Sequence, residues 1–326
     1  MLAAAPGVGA LSPPTSDLDD ARRLLRRGLV RQALAALQTV RQGRDQLHLT
    51  PDDQVAMVAL GLECHLAQGD LNPAVALGQE LATVVGAGSA TALCARGELT
   101  SALDDPETAA DLFLAAGQIG ADDVRPILAW RSGAALALLR VGRRREALEL
   151  AHAHLAFVQV HGTGTDVAHA LRTLATTEPD GHRQTRLRAA RALLTFSESE
   201  RLQAQIDTDL AGLLLLDGNV EEAVALLRTV EVFAGRQDLW PLQSRVRRLL
   251  ERMGQIPRRL EAEALAVLTA AERRVAMLAL DGLTNREIAT QLAVSVKAVE
   301  GHLSKVYRKL GITSRGALAA TVSRRD

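Results

Sequence analysis

The feature that most constrains this chain is an internal repeat. A small residue or turn is followed, five positions later, by an alanine that opens an apolar stretch. It reads GLVRQALAAL (Gly28, Ala33), GDLNPAVAL (Gly69, Ala74), DPETAADLF (Asp105, Ala110), GRRREALEL (Gly142, Ala147) and GNVEEAVAL (Gly218, Ala223). Successive copies are 41, 36, 37 and 76 residues apart, the last being two periods of about 38, in the range of a helix–turn–helix repeat. The copy skipped by that double step falls near Gly181, where the spacing is irregular and the repeat degenerate. The glycine suits a left-handed helix stop. The alanine suits an early helical position where two helices cross closely. One such unit cannot bury its apolar face alone, so neighbours must stack into a solenoid.

Hydrophobic residues make up 48% of the 326, but aromatics only 2%. Apolar surface supplied by alanine and leucine favours helices over sheets, and the fold class expected is all-α. AFVQV (Ala156 to Val160) has strand propensity but continues a helical pattern. Cys64 and Cys94 form no CxxC and are read as small hydrophobes, not as zinc ligands or a disulfide. No apolar run reaches the length of a membrane span. The proline-broken start, MLAAAPGVGALSPPTSD, lacks a basic n-region and is read as a disordered leader.

No catalytic constellation stands out, and the chain is expected not to be an enzyme. His152 and His154 are spaced i,i+2, on opposite sides of a helix, which disfavours a shared metal. HGTGTD (His161 to Asp166) and APGVGALSPP are glycine-rich but lack the lysine of a phosphate-binding loop. Asp19, Asp20, Asp52, Asp53, Asp104 and Asp105 read as helix-start and turn residues. Neither a cofactor nor a metal is expected.

Charge singles out the C-terminus. From Ala262 to Asp326 there are ten Lys/Arg and six Asp/Glu, net +4, against net −4 for the first 261 residues. All three lysines, Lys297, Lys305 and Lys309, lie in VSVKAVEGHLSKVYRKLG, Val294 to Gly311. A modest basic excess on a short segment suits phosphate contact. The break before it lies near Pro257 to Glu263, after Gly254. Thr269-x-x-Glu272 and Thr284-x-x-Glu287 are capping boxes. They open one helix running to about Asp281 and a second through about Leu292. Ser295 caps a third, Val296 to Leu310, closed by Gly311, and a fourth spans about Ser314 to Val322. Two helices joined by a turn of three or four residues make a helix-turn-helix.

On the third helix Val299, Leu303, Val306 and Leu310 form one stripe, spaced 4, 3 and 4. Lys297, Gly301, Ser304 and Arg308 form the opposite one, flanked by Glu300 and Lys305. A helix entering a major groove presents such a face to bases and phosphates. Lys297 is the leading candidate for a phosphate or base contact, and Arg308 for phosphate. Lys305 and Lys309 are in reach of phosphates, and Lys309 also lies at the core edge, where it can snorkel. Ser304 can meet a base edge or a phosphate. Glu300 can accept from a cytosine amino group or pair with Lys297. Thr284 and Asn285 either offer helix N-terminal amides to a phosphate or serve as caps alone. His302 reads as a packing residue.

The segment from Leu268 to Ala320, LTAAERRVAMLALDGLTNREIATQLAVSVKAVEGHLSKVYRKLGITSRGALAA, resembles the LuxR-type helix-turn-helix domain of bacterial transcription regulators. Matching positions include Leu268, Thr269, Glu272, Gly282, Asn285, Glu287, Ile288, Val299, His302, Leu303, Lys309, Leu310, Gly311 and Arg315. The repeats resemble tetratricopeptide repeats in a loose form, and GRRREALELA and LLLLDGNVEEAVALLR are similar to the helical region of large actinobacterial members of that family. Those members begin with an ATP-binding module that nothing here supplies. Ala298 stands where the family often has a hydroxyl residue at a phosphate. The resemblance implies a leader at 1–16, a tetratricopeptide-like repeat domain at 17–257, a linker at 258–264 and a four-helix LuxR-type domain at 265–326. It implies a cytoplasmic, nucleoid-associated transcription regulator that reads double-stranded DNA as a homodimer. The repeat domain would bind a protein partner, a small effector or another copy of itself. The rival reading is an interaction scaffold whose helix-turn-helix grips a protein instead of DNA.

Overall fold

The computed structural model describes residues 14–42, 49–84, 89–119, 129–179 and 181–255, and 268–318 except positions 269, 281, 293, 311, 313 and 317. The expected leader up to residue 13, the linker 258–264, the cap residue Thr269, the stop at Gly311 and the fourth helix beyond 318 lie outside the described residues.

Sixteen helices and no strand occur among them. Thirteen build the repeat array. They are α1 Pro14–Arg26, α2 Val30–Gln42, α3 Pro51–Gln68, α4 Leu71–Val84, α5 Ala90–Ala102, α6 Pro106–Gln118, α7 Trp130–Val141, α8 Arg144–His161, α9 Gly164–Thr177, α10 Arg183–Leu193, α11 Glu200–Leu216, α12 Val220–Arg236 and α13 Trp240–Arg252. Consecutive helices pack as hairpins, and each hairpin packs on the next. The architecture is a tetratricopeptide-like array.

The repeat signature sits at the turn inside each hairpin. Gly28, Gly69, Gly142 and Gly218 hold φ of 81°, 80°, 91° and 77°. Each is followed by a backbone pair that closes the preceding helix, such as Gly69 N–H to Leu66 and Asp70 N–H to His65. Ala33, Ala74, Ala147 and Ala223, five positions on, are all 0% exposed, so a larger side chain there would separate two helices.

The third copy is one residue out of the expected frame. The left-handed residue is Asp104, φ 67°, and the sealed alanine is Ala109 at 0%. Asp105 instead caps α6, its carboxylate accepting from Thr108 N–H at 3.1 Å. Gly181 does mark the degenerate copy, at φ 87°. Arg186 occupies the alanine position and pairs with Glu178 at 2.5 Å. A further junction carries no glycine: Asp238, φ 56°, precedes α13, and the buried Gln243 stands where alanine would. Asp19 and Asp20 correct the expectation for helix starts. They lie inside α1 and pair with Arg22 and Arg23.

Simple neighbour stacking does not describe the ends. The first two hairpins share one core cluster with Phe233, Ala234, Leu239 and Leu242 from α12, α13 and the turn between them. Arg31 pairs with Asp238, Arg201 with Glu63, and Arg27 with Glu200 at 3.7 Å. A Cβ on Gly28 would come within 2.8 Å of the Phe233 ring. The array closes, each end covering apolar surface that an open stack would expose. The inner helices carry a polar row. Arg172 of α9 and Arg245 of α13 both bind Asp209 of α11 at 2.6 Å, and Arg172 also bonds Gln205 at 3.0 Å. Burial alone would raise the Asp209 carboxyl, but the two guanidiniums hold it below the usual carboxylate range.

His152 is exposed and His154 buried, as opposite helix faces require. HGTGTD runs from the end of α8 into the first turn of α9, where Thr163 and Asp166 form a capping box. Cys64 is buried and Cys94 half-buried. No described helix is long and apolar enough to cross a membrane, and the described residues contain no cluster of three metal-ligating side chains.

Candidate nucleic-acid interface

The C-terminal unit is built from α14 Ala270–Leu280, α15 Asn285–Leu292 and α16 Val296–Leu310, with residues 315, 316 and 318 helical beyond them. Leu268, Val275, Ala276, Ala279, Ile288, Ala289, Val299, Leu303, Val306 and Leu318 make its core. The short sequence signals set each boundary. Gly282, φ 88°, ends α14, and Leu283 N–H bonds Leu278 at 3.2 Å. Thr284 opens α15 through a reciprocal box. Its backbone N–H and hydroxyl donate to Glu287 at 2.6 and 2.8 Å, and its hydroxyl accepts from Glu287 N–H at 3.3 Å. Those bonds hold the Glu287 carboxyl below its ordinary range. Val294 N–H bonds Ala289 at 3.0 Å across the turn, and Ser295 accepts from Ala298 N–H at 3.2 Å to start α16.

The two faces of α16 separate cleanly. Val299 and Val306 are 0% exposed and Leu303 is 5%. Lys297, Glu300, Gly301, Ser304, Lys305 and Arg308 are all exposed. One side of the helix therefore packs on α14 and α15, and the other presents two lysines, an arginine and a carboxylate. Gly301 sits in the middle of that outer side. A Cβ there would meet nothing within 4 Å.

Packing requires several of the other helical glycines. A Cβ on Gly97 would lie 2.9 Å from the Phe113 ring, and one on Gly133 would press into the same ring. Gly78 faces Leu99 and Gly117 faces Trp130 as closely. A glycine inside a helix costs roughly 0.5–1 kcal/mol relative to alanine. At Gly301 no contact within the chain explains that cost.

Several expected contacts are already engaged. Thr284's hydroxyl is used in its cap, leaving Asn285, half-buried, beside Arg315. Ser304's hydroxyl donates to the Glu300 carbonyl at 2.9 Å and keeps only acceptor capacity outward. Lys309 is tied to Glu272 at 2.6 Å, with the carboxylate 6% exposed. It joins α16 to α14. Arg315, noted in the sequence only as a family match, donates to the Ala279 carbonyl at 2.8 Å and to that of Leu283. It anchors the last segment to the loop before α15. Val294 and Val296 also flank the start of α16, at 44% and 40% exposure. Alternating apolar and polar residues there carried no helical-face signal.

The family model described as "Bacterial regulatory proteins, luxR family" matches residues 266–322. Proteins named as HTH-type transcriptional regulators in Mycobacterium bovis and Mycobacterium tuberculosis are 42% identical over 72 residues. That match covers 22% of this chain and 8% of each relative. Among solved structures, apo RapI is similar at 12% identity and a TM-score of 0.41, over 92% of this chain and 99% of that one. The apo quorum sensor NprR from B. thuringiensis is similar at 12% and 0.39, over 91% and 98%. These structural likenesses are distant and carry no further argument.

Proposed function

Residues 266–322 being a LuxR-family helix-turn-helix domain, we propose that the chain is a sequence-specific DNA-binding transcription regulator. The observation that carries this reading is the outer face of α16. Lys297, Glu300, Ser304, Lys305 and Arg308 stand free of the core around an unpacked Gly301. Lys297, Lys305 and Arg308 supply phosphate contacts. Gly301 lets the helix approach the groove floor, and Glu300 narrows the accepted sequences. The amide end of α15, at Asn285, faces a further phosphate, while Thr284 serves as the cap that positions it. The protein acts by binding rather than turnover. It works as a dimer on a two-part site, in the compartment that holds the DNA. The repeat array is its responsive part, taking an effector.

The test is fluorescence anisotropy on fragments selected from genomic DNA, at several salt concentrations. Lys297→Ala and Arg308→Ala should each weaken binding and flatten the log–log salt slope by about 0.9 per lost phosphate contact. Unchanged affinity and slope in both variants would assign the face wrongly. An intact chain that binds no DNA at low salt would leave the protein-gripping scaffold as the reading to pursue.

A further inference from the structure

Near the C-terminal ends of α11 and α13 the array opens into a groove of about 470 Å³, within the range of small-molecule sites. Its rim is basic. Arg183, Arg245, Arg248 and Arg252 line it with a single carboxylate, Asp209. That carboxylate is already held by Arg172 and Arg245. Arg248 and Arg252 are exposed and make no ion pair or hydrogen bond with the described residues. Arg183 spends its Nε on the Ala175 carbonyl at 2.8 Å, which fixes its guanidinium at the rim. Three cations therefore line one groove with no anion of the described residues paired to them.

Three leucines share the lining with these charges. Leu213 and Leu249 are half-buried, and Leu216 is 73% exposed. Between them lies Gly212, in the fourth turn of α11, where a Cβ would meet nothing within 4 Å. Like Gly301, it bears the helix cost of glycine with no packing contact in the chain to require it. A solvated arginine face would account for the charges. It would not account for a missing side chain one turn before an exposed leucine, on the same stripe of α11 as Asp209.

The geometry points to a binding site for a small amphipathic organic anion. A carboxylate, sulfonate or phosphate head lies among Arg183, Arg248 and Arg252, and an apolar body lies over Gly212 against Leu213, Leu216 and Leu249. Charge-assisted bonds to arginine give such a head most of its affinity, and the leucines select for the apolar part. This assignment rests on the reading that the repeat array takes an effector, and it names that effector's chemistry.

The test uses the full chain and two fluorescent probes of one ring type: anilinonaphthalene sulfonate, which is anionic, and phenylnaphthylamine, which is neutral. The sulfonate should bind saturably. Arg248→Gln with Arg252→Gln should weaken it about tenfold or more while changing the neutral probe less than about twofold. Gly212→Leu should remove both probes without loss of helical circular dichroism, because the site has room for a side chain. Octanoate and octyl phosphate, as competitors, then separate carboxylate from phosphate heads. No saturable sulfonate binding, an unchanged affinity in the double arginine variant, or an unaffected Gly212→Leu would each overturn the proposal. DNA affinity of the same variants without probe is a separate reading. Absence of DNA binding by the parent chain and the variants alike would count against the transcription role and leave the pocket result standing.

Discussion

Replacing Gly301 by alanine should make α16 more stable and the protein a poorer DNA binder. A Cβ at Gly301 meets no atom within 4 Å, so no steric term opposes the helix preference of alanine. The gain expected for an exposed interior position is about 0.5–1 kcal/mol. It should appear as about two- to fivefold slower amide hydrogen exchange in α16 of the free chain, wherever exchange follows opening of that helix. Gly133→Ala supplies the contrast, since its Cβ would press into the Phe113 ring. That change should destabilise the array by roughly 1–3 kcal/mol through overpacking. On DNA the order at Gly301 reverses. Alanine removes part of the close approach, and Gly301→Leu should weaken binding by about tenfold or more, 1.4 kcal/mol, with exchange protection in the free chain retained. Faster exchange in Gly301→Ala would mean an unseen packing role. Full DNA affinity in Gly301→Leu would mean that the outer face of α16 does not enter the groove.

Three further outcomes follow from buried charge. Glu231 is 0% exposed and holds Arg228 at 3.0 Å and Arg247 at 3.3 Å. Glu231→Gln removes the buried charge opposite Arg228 and Arg247 and should cost about 3 kcal/mol in urea unfolding; a cost under about 1 kcal/mol would refute the account. His154, 4% exposed and hydrogen-bonded to Ser132 at 2.6 Å, has its pKa pushed from 6.5 down to about 4 by burial and then by Arg131. The unfolded chain protonates first, so stability present above pH 6.5 should be lost as pH falls toward 4, by on the order of 3 kcal/mol from this one group. His154→Gln should flatten that part of the pH profile relative to the parent. Finally, Lys309→Met should destabilise the C-terminal unit by removing the cation that ties α16 to the buried Glu272 carboxylate of α14, while the salt slope for DNA stays as in the parent. A slope reduced by about one unit would return Lys309 to the phosphate contacts.

The repeat was legible because its two chemical requirements are local. A left-handed stop selects glycine, and a close helix crossing selects alanine. Where aspartate takes the stop, at Asp104 and Asp238, the glycine search slips by one residue or misses the junction. Closure of the array was not legible, because it depends on small rotations accumulated over many hairpins and on contacts such as Phe233 with Gly28. In the C-terminal unit the burial period of α16 marked its inner and outer sides, with Val299, Leu303 and Val306 inside and Lys297 outside. Periodicity does not tell which outer groups are engaged. Lys309 falls to Glu272, Ser304 bonds back to its own helix, and Thr284 is consumed by its cap. Each bond depends on a partner three or more positions away, in a rotamer that spacing does not determine.

The two aspartates at left-handed turns show what the array asks of its junctions. Where the turn needs only its conformation, glycine supplies it at Gly28, Gly69, Gly142 and Gly218. A non-glycine residue there is disfavoured, so an aspartate needs an offsetting contact. Asp104 reaches Arg140 of the following hairpin, and Asp238 reaches Arg31 at the opposite end of the array. The two contacts differ in weight. The Asp104 side chain is 90% exposed, and a pair so solvated contributes little. Asp238 is 9% exposed and stands where α12 and α13 meet the first hairpin. Its carboxylate bonds at the seam that makes the array a closed body. The sequence thus gives up glycine's freedom where a turn can also clasp another hairpin, and the tighter clasp joins the two ends.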